Sequence, residues 1–282
     1  MDLQNVLKRL PVKINKCKPI SGGDTNKSYI LESDQGNLFI KINNTKEFPG
    51  MFREEAKGLK IIAETNKLRT PKIIKVEDSD KEQYLVLEFI SKGEPSKKIW
   101  EKFGESLALM HKIPQPYFGF NNDNYIGRLP QKNTQTSTWS EFYAQCHLQP
   151  LIKRLNDLNA LTNQEVQAAE NFYKKIDEIF PKESPSLVHG DLWVGNFLIS
   201  DTGDPVVIDP AVCYSHREMD LGMTHLFGGF SNYFYEAYNS SYSMEQGWEK
   251  RIPYAQLYPL LVHSILFGSY YIEKVKNILK DF

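Results

Sequence analysis

Cysteine is scarce in this chain, and the few present do not form a pattern. Cys17, Cys146 and Cys213 are far apart and odd in number, so their spacing gives neither a disulfide framework nor a metal-ligand cluster. A reducing cytoplasm is the expected compartment. No apolar run approaches the roughly 18 residues that a membrane span needs, and the N-terminal stretch MDLQNVLKRL is amphipathic and too polar for a signal peptide. Neither sign of charge is in excess: 34 Lys and Arg against 35 Asp and Glu leave a net charge of −1, without the basic stripe that binds nucleic-acid phosphates. Short basic runs such as Lys97-Lys98 and Lys174-Lys175 read as solvated helix faces. Repeats and low-complexity tracts are also missing. These absences exclude nucleic acid and membrane as expected partners; the oligomeric state is not readable from the sequence, with a monomer favoured.

What remains is ordinary globular material with a division along its length. Hydrophobic residues make up 41% and charged residues 24% of 282, which suits one large domain or two lobes sharing a cleft. The first ninety residues read mostly as strand. INKCKPIS, NKSYILES and GNLFIKIN are short alternating runs separated by the turn signals Gly22-Gly23-Asp24 and Asp34-Gln35-Gly36. A helix follows from about Met51 to Thr65, then two strands in KIIKVED and EQYLVLEFI. Gly93 and Pro95 punctuate a linker near 88–95. Beyond it the spacing predicts helices over about 97–112, 138–155 and 162–180, a tight hairpin in FLIS-DTGD-PVVID, and an aromatic, helical remainder from His216. The expected architecture is α+β and bilobal: a small five-stranded antiparallel lobe over residues 1–92 and a larger, mainly helical lobe over 93–282.

The chemistry concentrates in VHGDLWVGN, residues 188–196. Asn196 follows Asp191 by five residues, and Asp209 follows it by eighteen, at the far end of the hairpin. A hairpin brings its ends together, so Asn196 and Asp209 are expected side by side. Two loop-borne oxygen ligands suit Mg²⁺, which keeps waters and shares phosphates. Asp191 would face the same pocket, free to accept a proton. Asp-x₄-Asn alone is as well explained by a turn bracketed by Gly190 and Gly195. With Asp209 in place, the spacing is that of a kinase catalytic loop.

The first lobe carries matching parts. Lys41 ends the apolar strand LFIKIN. Phe52, Glu55, Leu59 and Ile62 share one helix face, so Glu55 is a charge on an apolar stripe and needs a partner, whereas Glu54 points away. Lys41, arriving from the sheet, is the natural partner, and such a Lys–Glu pair holds the α- and β-phosphates of ATP in kinases. SGGDTNKSY lacks the G-x-G-x-x-G form, yet Gly22, Gly23 and Asp24 turn the first strand into the second above the cleft, as a phosphate-covering loop would. The main chain of Glu88, Phe89 and Ile90, where the last strand meets the linker, is the candidate seat for adenine.

At this point the chain resembles the fructosamine kinases, or ketosamine-3-kinases, within the protein-kinase-like group that includes aminoglycoside and choline kinases. The matching stretches are SGGDTNKSY, LFIKIN, MFREEAKGL, NDNYIGRLPQ, LVHGDLWVGN, VVIDPAVCYSHREMDLGMTHLFGGF and LYPLLVHSILFG. The tryptophan of HGDLW and the DPA in place of DFG set this family apart from protein kinases. The resemblance implies ATP-dependent phosphorylation of the 3-hydroxyl of a ketose attached to an amine, which destabilises the glycation adduct and frees the amine. It makes Asp191 the base, Asn196 and Asp209 the Mg²⁺ ligands, and Lys41 with Glu55 the nucleotide anchor. Asp220 and His189 become braces of the loop. Where many relatives carry arginine this chain has His147, placed by the resemblance near the substrate or else on a helix surface.

A neutral sugar is bound by aromatic faces and hydrogen-bonding groups. Trp193, directly after the base region, is expected to line the acceptor pocket, with Trp139, Tyr214, His216, Glu218 and the cluster Phe227 to Tyr235 as further candidates. Ser215 and Glu218 also fit a capping box at the start of a helix. Two other readings stand beside this one: a kinase of the aminoglycoside or choline type, and a nucleotide-binding pseudokinase. The second conflicts with the retention of Lys41, Asp191, Asn196 and Asp209.

Overall fold

A computed structural model describes residues 3–20 and 26–282. Gly22, Gly23 and Asp24 of the expected phosphate-covering loop lie outside the described residues. The first lobe is built on strands β1 (Ile14–Ile20), β2 (Lys27–Ser33), β3 (Gly36–Asn44), β4 (Ile73–Asp78) and β5 (Glu82–Glu88). They form one antiparallel sheet in the order β1-β2-β3-β5-β4. A short helix, α1 (Leu3–Lys8), covers one face and α2 (Met51–Glu64) the other.

Strand periodicity decides which face each residue serves. Ile40, Ile42, Tyr84 and Val86 pack with Val6 of α1. The alternate positions Leu85 and Leu87 pack with Met51, Phe52, Ala56 and Leu59 of α2. Lys41, between Ile40 and Ile42, therefore stands on the α2 side of the sheet, opposite the α2 stripe predicted from spacing.

The second lobe is mainly helical, as expected, with α3 (Lys97–His111), α4 (Trp139–Glu141), α5 (Gln149–Asp157), α6 (Asn163–Tyr173), α7 (Ile176–Ile179), α8 (Glu218–Thr224), α9 (Asn232–Ser241), α10 (Trp248–Ala255), α11 (Leu257–Phe267) and α12 (Ser269–Leu279). The helix expected over 138–155 is interrupted by a π-helical segment, Phe142–Leu148, between α4 and α5. The one expected over 162–180 starts at a Thr162–Glu165 capping box and breaks between α6 and α7. Three small strand pairings of the second lobe matter for the site. The predicted hairpin is β9 (Phe197–Ile199) with β10 (Pro205–Val207). Sequence reading passes over the hairpin β6 (Asn124–Ile126) and β7 (Leu129–Gln131), and the pairing of β8 (Ser186–Val188) with β11 (Cys213–Ser215), because three-residue strands carry almost no periodic signal.

The core of this lobe is aromatic. Phe103 of α3 stacks on Phe197 at 4.5 Å and packs against Phe230 and Phe234. α3 and α9 approach closely because Gly104 has no side chain; a Cβ there would overlap the Phe234 carbonyl oxygen. Gly104→Ala is therefore expected to cost about 1–3 kcal/mol by overpacking, seen as a lower urea midpoint at unchanged slope. Glu105→Ala, exposed one position away, serves as the control and should stay within about 0.5 kcal/mol of the parent. Equal midpoints for the two variants would contradict the close approach.

Candidate active site

Two loop segments are stitched together at the centre of the molecule. One runs from β8 through His189 to Asn196; the other runs from β10 through Asp209 to Ala211. Ala211 N donates to His189 O at 2.9 Å, and Ile208 N donates to Asn196 O at 3.1 Å. Gly190 has φ 83°, and a Cβ there would overlap the Ala211 carbonyl oxygen, so glycine is required on both counts. Asp209 sits in the left-handed region at φ 56°, which aspartate tolerates better than most residues. The hairpin thus does what its sequence predicts, setting Asn196 and Asp209 at its two adjoining ends.

Asn196 holds Asp191. Its Nδ2 donates to the Asp191 carbonyl at 2.8 Å and to Oδ2 at 2.9 Å, leaving Oδ1 as its acceptor atom. Burial pushes the Asp191 carboxyl up to about 7; the Asn196 bond opposes this, and the nearby Asp209 and Asp220 charges add to it. Asp220 has the opposite fate. It accepts from the backbone N–H of His189 at 2.7 Å and of Gly190 at 2.9 Å, and lies 3.2 Å from His111 Nε2. Burial alone would raise its carboxyl, but His111 and these donors outweigh it and hold the group below the usual range. His189 braces from the other side. Its Nε2 lies 3.0 Å from the Ile208 carbonyl and its Nδ1 accepts from Asp191 N at 3.3 Å. That pattern needs the neutral Nε2–H tautomer, which burial favours by lowering the imidazole pKa.

Lys41 is the meeting point of the lobes. Its ammonium lies 2.8 Å from Glu55 Oε1 and also pairs with Asp209. Burial works against its charge, but Asp209 and Glu55 outweigh that and hold its pKa above the ordinary value. Glu54 pairs with Lys57 on the same helix.

Lys41, Glu55, Asp191, Asn196 and Asp209 line one cleft of about 510 Å³. Trp193, Phe227, His263, Phe267 and Tyr271 line it too, as does Arg128. Trp193 packs flat enough over Gly195 that a Cβ there would overlap its ring, and Phe227 meets it edge-on at 5.4 Å. Gly195 is thus glycine to seat the tryptophan. A divalent cation fits this donor set: Asn196 Oδ1 and the Asp209 carboxylate are hard oxygen ligands, and the Lys41 ammonium already stands as a positive charge at Asp209. Among the described residues no group of three or more His, Cys, Asp or Glu could hold a metal. Two protein oxygens, with the remaining ligands from water and phosphate, match Mg²⁺ rather than zinc.

Four expected substrate residues are elsewhere. Trp139 is buried, stacked on Tyr143 at 4.6 Å and packed against Phe118 and Phe180. Tyr214 lies in β11 against Phe120 and Tyr117. His216 is buried with Nε2 3.2 Å from the Pro181 carbonyl. Glu218 is buried and gripped by Arg251, with Nε at 2.9 and 3.0 Å from its two oxygens and Nη2 at 2.5 Å. The capping box does not form either: Ser215 belongs to β11 and α8 begins at Glu218 without a side-chain cap. His147 is neither near the cleft nor on a surface. It is buried in the π-helical segment and stacked on Tyr258 at 4.1 Å, and burial lowers its pKa to about 3. The common cause is that aromatic and charged residues around SHREMDLG complete the core of this lobe. Glu88, Phe89 and Ile90 lie where β5 ends, outside the lining of the cleft; the Glu88 carboxylate binds Arg69 at 2.8 Å and the Lys72 N–H at 3.0 Å.

The residues that sequence reasoning missed are His263, Phe267 and Tyr271 on α11 and α12, and Arg128 in the β6–β7 turn. One signal was available. α11 is apolar nearly all round, so a single histidine in LYPLLVHSILF stands out. Its Nδ1 lies 2.8 Å from the Pro259 carbonyl one turn back.

The chain is similar to known proteins along nearly its whole length. The fructosamine kinase family profile matches residues 3–282. Over 286 residues the chain is 37% identical to an Enterococcus faecium protein named as a ketoamine kinase, covering 100% of each. It is 35% identical over 276 residues to the chloroplastic protein-ribulosamine 3-kinase of Arabidopsis thaliana, covering 96% of this chain and 83% of that one. A crystal structure of a Thermobifida fusca protein named as a fructosamine-3-kinase matches with a TM-score of 0.89 at 34% identity, covering 98% of this chain and 96% of that one.

The structural role of Glu218 is testable without any activity. Glu218→Ala and Arg251→Ala should each cost about 3–5 kcal/mol by leaving a buried charge alone, and the double variant should lose no more than either single. Strictly additive losses in urea denaturation would show that the two side chains do not depend on each other.

Proposed function

The chain belongs to the fructosamine kinase family, and from that premise we propose that it is a phosphotransferase carrying the γ-phosphoryl group of ATP to the 3-hydroxyl of ketosamines. The observation that carries the reading is a single cleft holding the Asn196-bound Asp191 carboxylate, the Lys41–Glu55–Asp209 cluster and an aromatic wall. Asp191 is the base for the sugar hydroxyl. Its carboxyl, raised to about 7, is matched to proton transfer near neutral pH. Asn196 fixes that carboxylate, and its Oδ1 together with the Asp209 carboxylate would hold Mg²⁺. When bound, Mg²⁺ supplies neutralisation of charge on the phosphoryl oxygens. Lys41, kept charged and oriented by Glu55, takes the α- and β-phosphates. The phosphate-covering role of Gly22, Gly23 and Asp24 and the adenine-binding role of the Glu88–Ile90 main chain belong to the same proposal, as does a nucleotide lobe over 1–92 with an acceptor lobe over 93–282.

On the acceptor side, Trp193 and Phe227 offer ring faces and edges to the ketose. The aminoglycoside or choline alternative has less support, because the cleft lining carries the positive Arg128, whereas cationic substrates call for an acidic rim. Phosphorylation at the 3-position destabilises the adduct and releases the amine, so the proposed role is deglycation. The proposed compartment is the cytoplasm, in keeping with three free cysteines. Among the described residues no helix is long and apolar enough to cross a membrane.

With ATP, Mg²⁺ and ribulose-lysine, Asp191→Asn is expected to lower kcat by about 10²–10⁴-fold while the fold is retained. Asp191 must be ionised to accept the proton. In the wild type, kcat/KM should therefore be full above the raised pKa and fall as pH drops through about 7. Undiminished turnover in Asp191→Asn would remove Asp191 from the role of base.

A further inference from the structure

Resting on that kinase reading, we infer that Arg128 is a specificity residue that binds the carboxylate of a free amino acid whose amine carries the ketose. Of the residues lining the cleft, Lys41 and Arg128 are the Lys and Arg side chains. Lys41 is committed to Glu55 and Asp209. Arg128 is exposed and has no ion-pair or hydrogen-bond partner among the described residues.

Its position is fixed by the hairpin that carries it. Tyr125 Oη donates to the Pro49 carbonyl at 3.0 Å, tying β6 to the first lobe. Asn124 Nδ2 donates to the Val212 carbonyl at 2.8 Å, and Gln131 Nε2 to the Ala211 carbonyl at 2.9 Å, tying both strands to the segment after Asp209. Gly127, at φ 55°, seats the turn against α11: a Cβ there would stand 3.1 Å from Leu266 Cδ1. Arg128, the next residue, is thereby held where the turn meets Leu266 of α11, a helix that lines the same cleft through His263 and Phe267.

The aromatic lining receives the acceptor. Trp193, Phe227, Phe267 and Tyr271 carry no charge, and burial keeps His263 neutral by lowering its pKa. A lone guanidinium among neutral rings selects a planar anion through two parallel hydrogen bonds. A ketosamine of a free amino acid presents such a carboxylate on the amine side of the sugar. A lysine inside a polypeptide does not, which places the preference with small adducts.

The test compares Nα-ribulosyl-alanine with its carboxamide, using ATP and Mg²⁺, in the wild type, Arg128→Gln and Arg128→Lys. The wild type should favour the acid by about tenfold or more in kcat/KM, through KM, the worth of a charge-assisted bidentate pair. Arg128→Gln should bring the acid-to-amide ratio to about one, and Arg128→Lys should restore part of it. Equal kcat/KM for acid and amide in the wild type would overturn this inference while leaving the kinase reading intact. So would a preference for the amide bearing a 5-phosphate on its sugar over the acid, since the anion read would then be a phosphate. Turnover of neither compound nor of ribulose-lysine would overturn the kinase reading and this inference with it.

Discussion

The site depends on one buried ammonium shared by two carboxylates. Lys41 comes from the sheet, Glu55 from the helix packed on it, and Asp209 from the other lobe. A buried cation is costly unless it is paired, so these three chain segments must meet for any of them to be stable where it is. The sheet's two-residue period puts Lys41 on the α2 face, and the helix's 3.6-residue period puts Glu55 under it. Asp209 completes the cluster only because the β9–β10 hairpin returns to Asn196. The pairing that readies Lys41 for phosphates therefore also sets the first lobe against the second.

From Asp209 the constraint passes to the loop before it. Ile208 binds the backbone of Asn196, and Asn196 in turn holds Asp191. Behind the loop, Asp220 accepts from the backbone N–H groups of His189 and Gly190 and is locked in its charged form. Two carboxylates beside the same glycine, Asp191 next to it in the chain and Asp220 accepting from its N–H, are thus driven in opposite directions. The one surrounded by donors is depressed and structural; the one facing the cleft with a single amide is raised and available for proton transfer.

Much of this was legible in the sequence because it rests on short-range rules. Strand alternation located Lys41, helix spacing located Glu55, and hairpin closure joined Asn196 to Asp209. The substrate wall was not legible in the same way. Tyr214, His216 and Glu218 lie near the loop in sequence and Trp139 well before it, yet core packing and the Arg251 pair absorb all four. The residues that do line the acceptor side, His263, Phe267, Tyr271 and Arg128, come from α11, α12 and a three-residue-strand hairpin. They converge only through tertiary packing, such as the contact of the Gly127 turn with Leu266, and no local pattern announces that. Trp193 was legible as a distinctive residue, but its seat on Gly195 and against Phe227 emerged only from the fold.

The central claim is that this arrangement directs phosphate to one hydroxyl of a ketosamine. The most direct measurement is NMR of the product formed from ATP and ribulose-lysine, locating the phosphorus by its coupling along the sugar. The account predicts coupling to the proton and carbon of position 3, with the adduct then releasing its lysine. Phosphate on another hydroxyl, or on no carbon of the sugar at all, would contradict it.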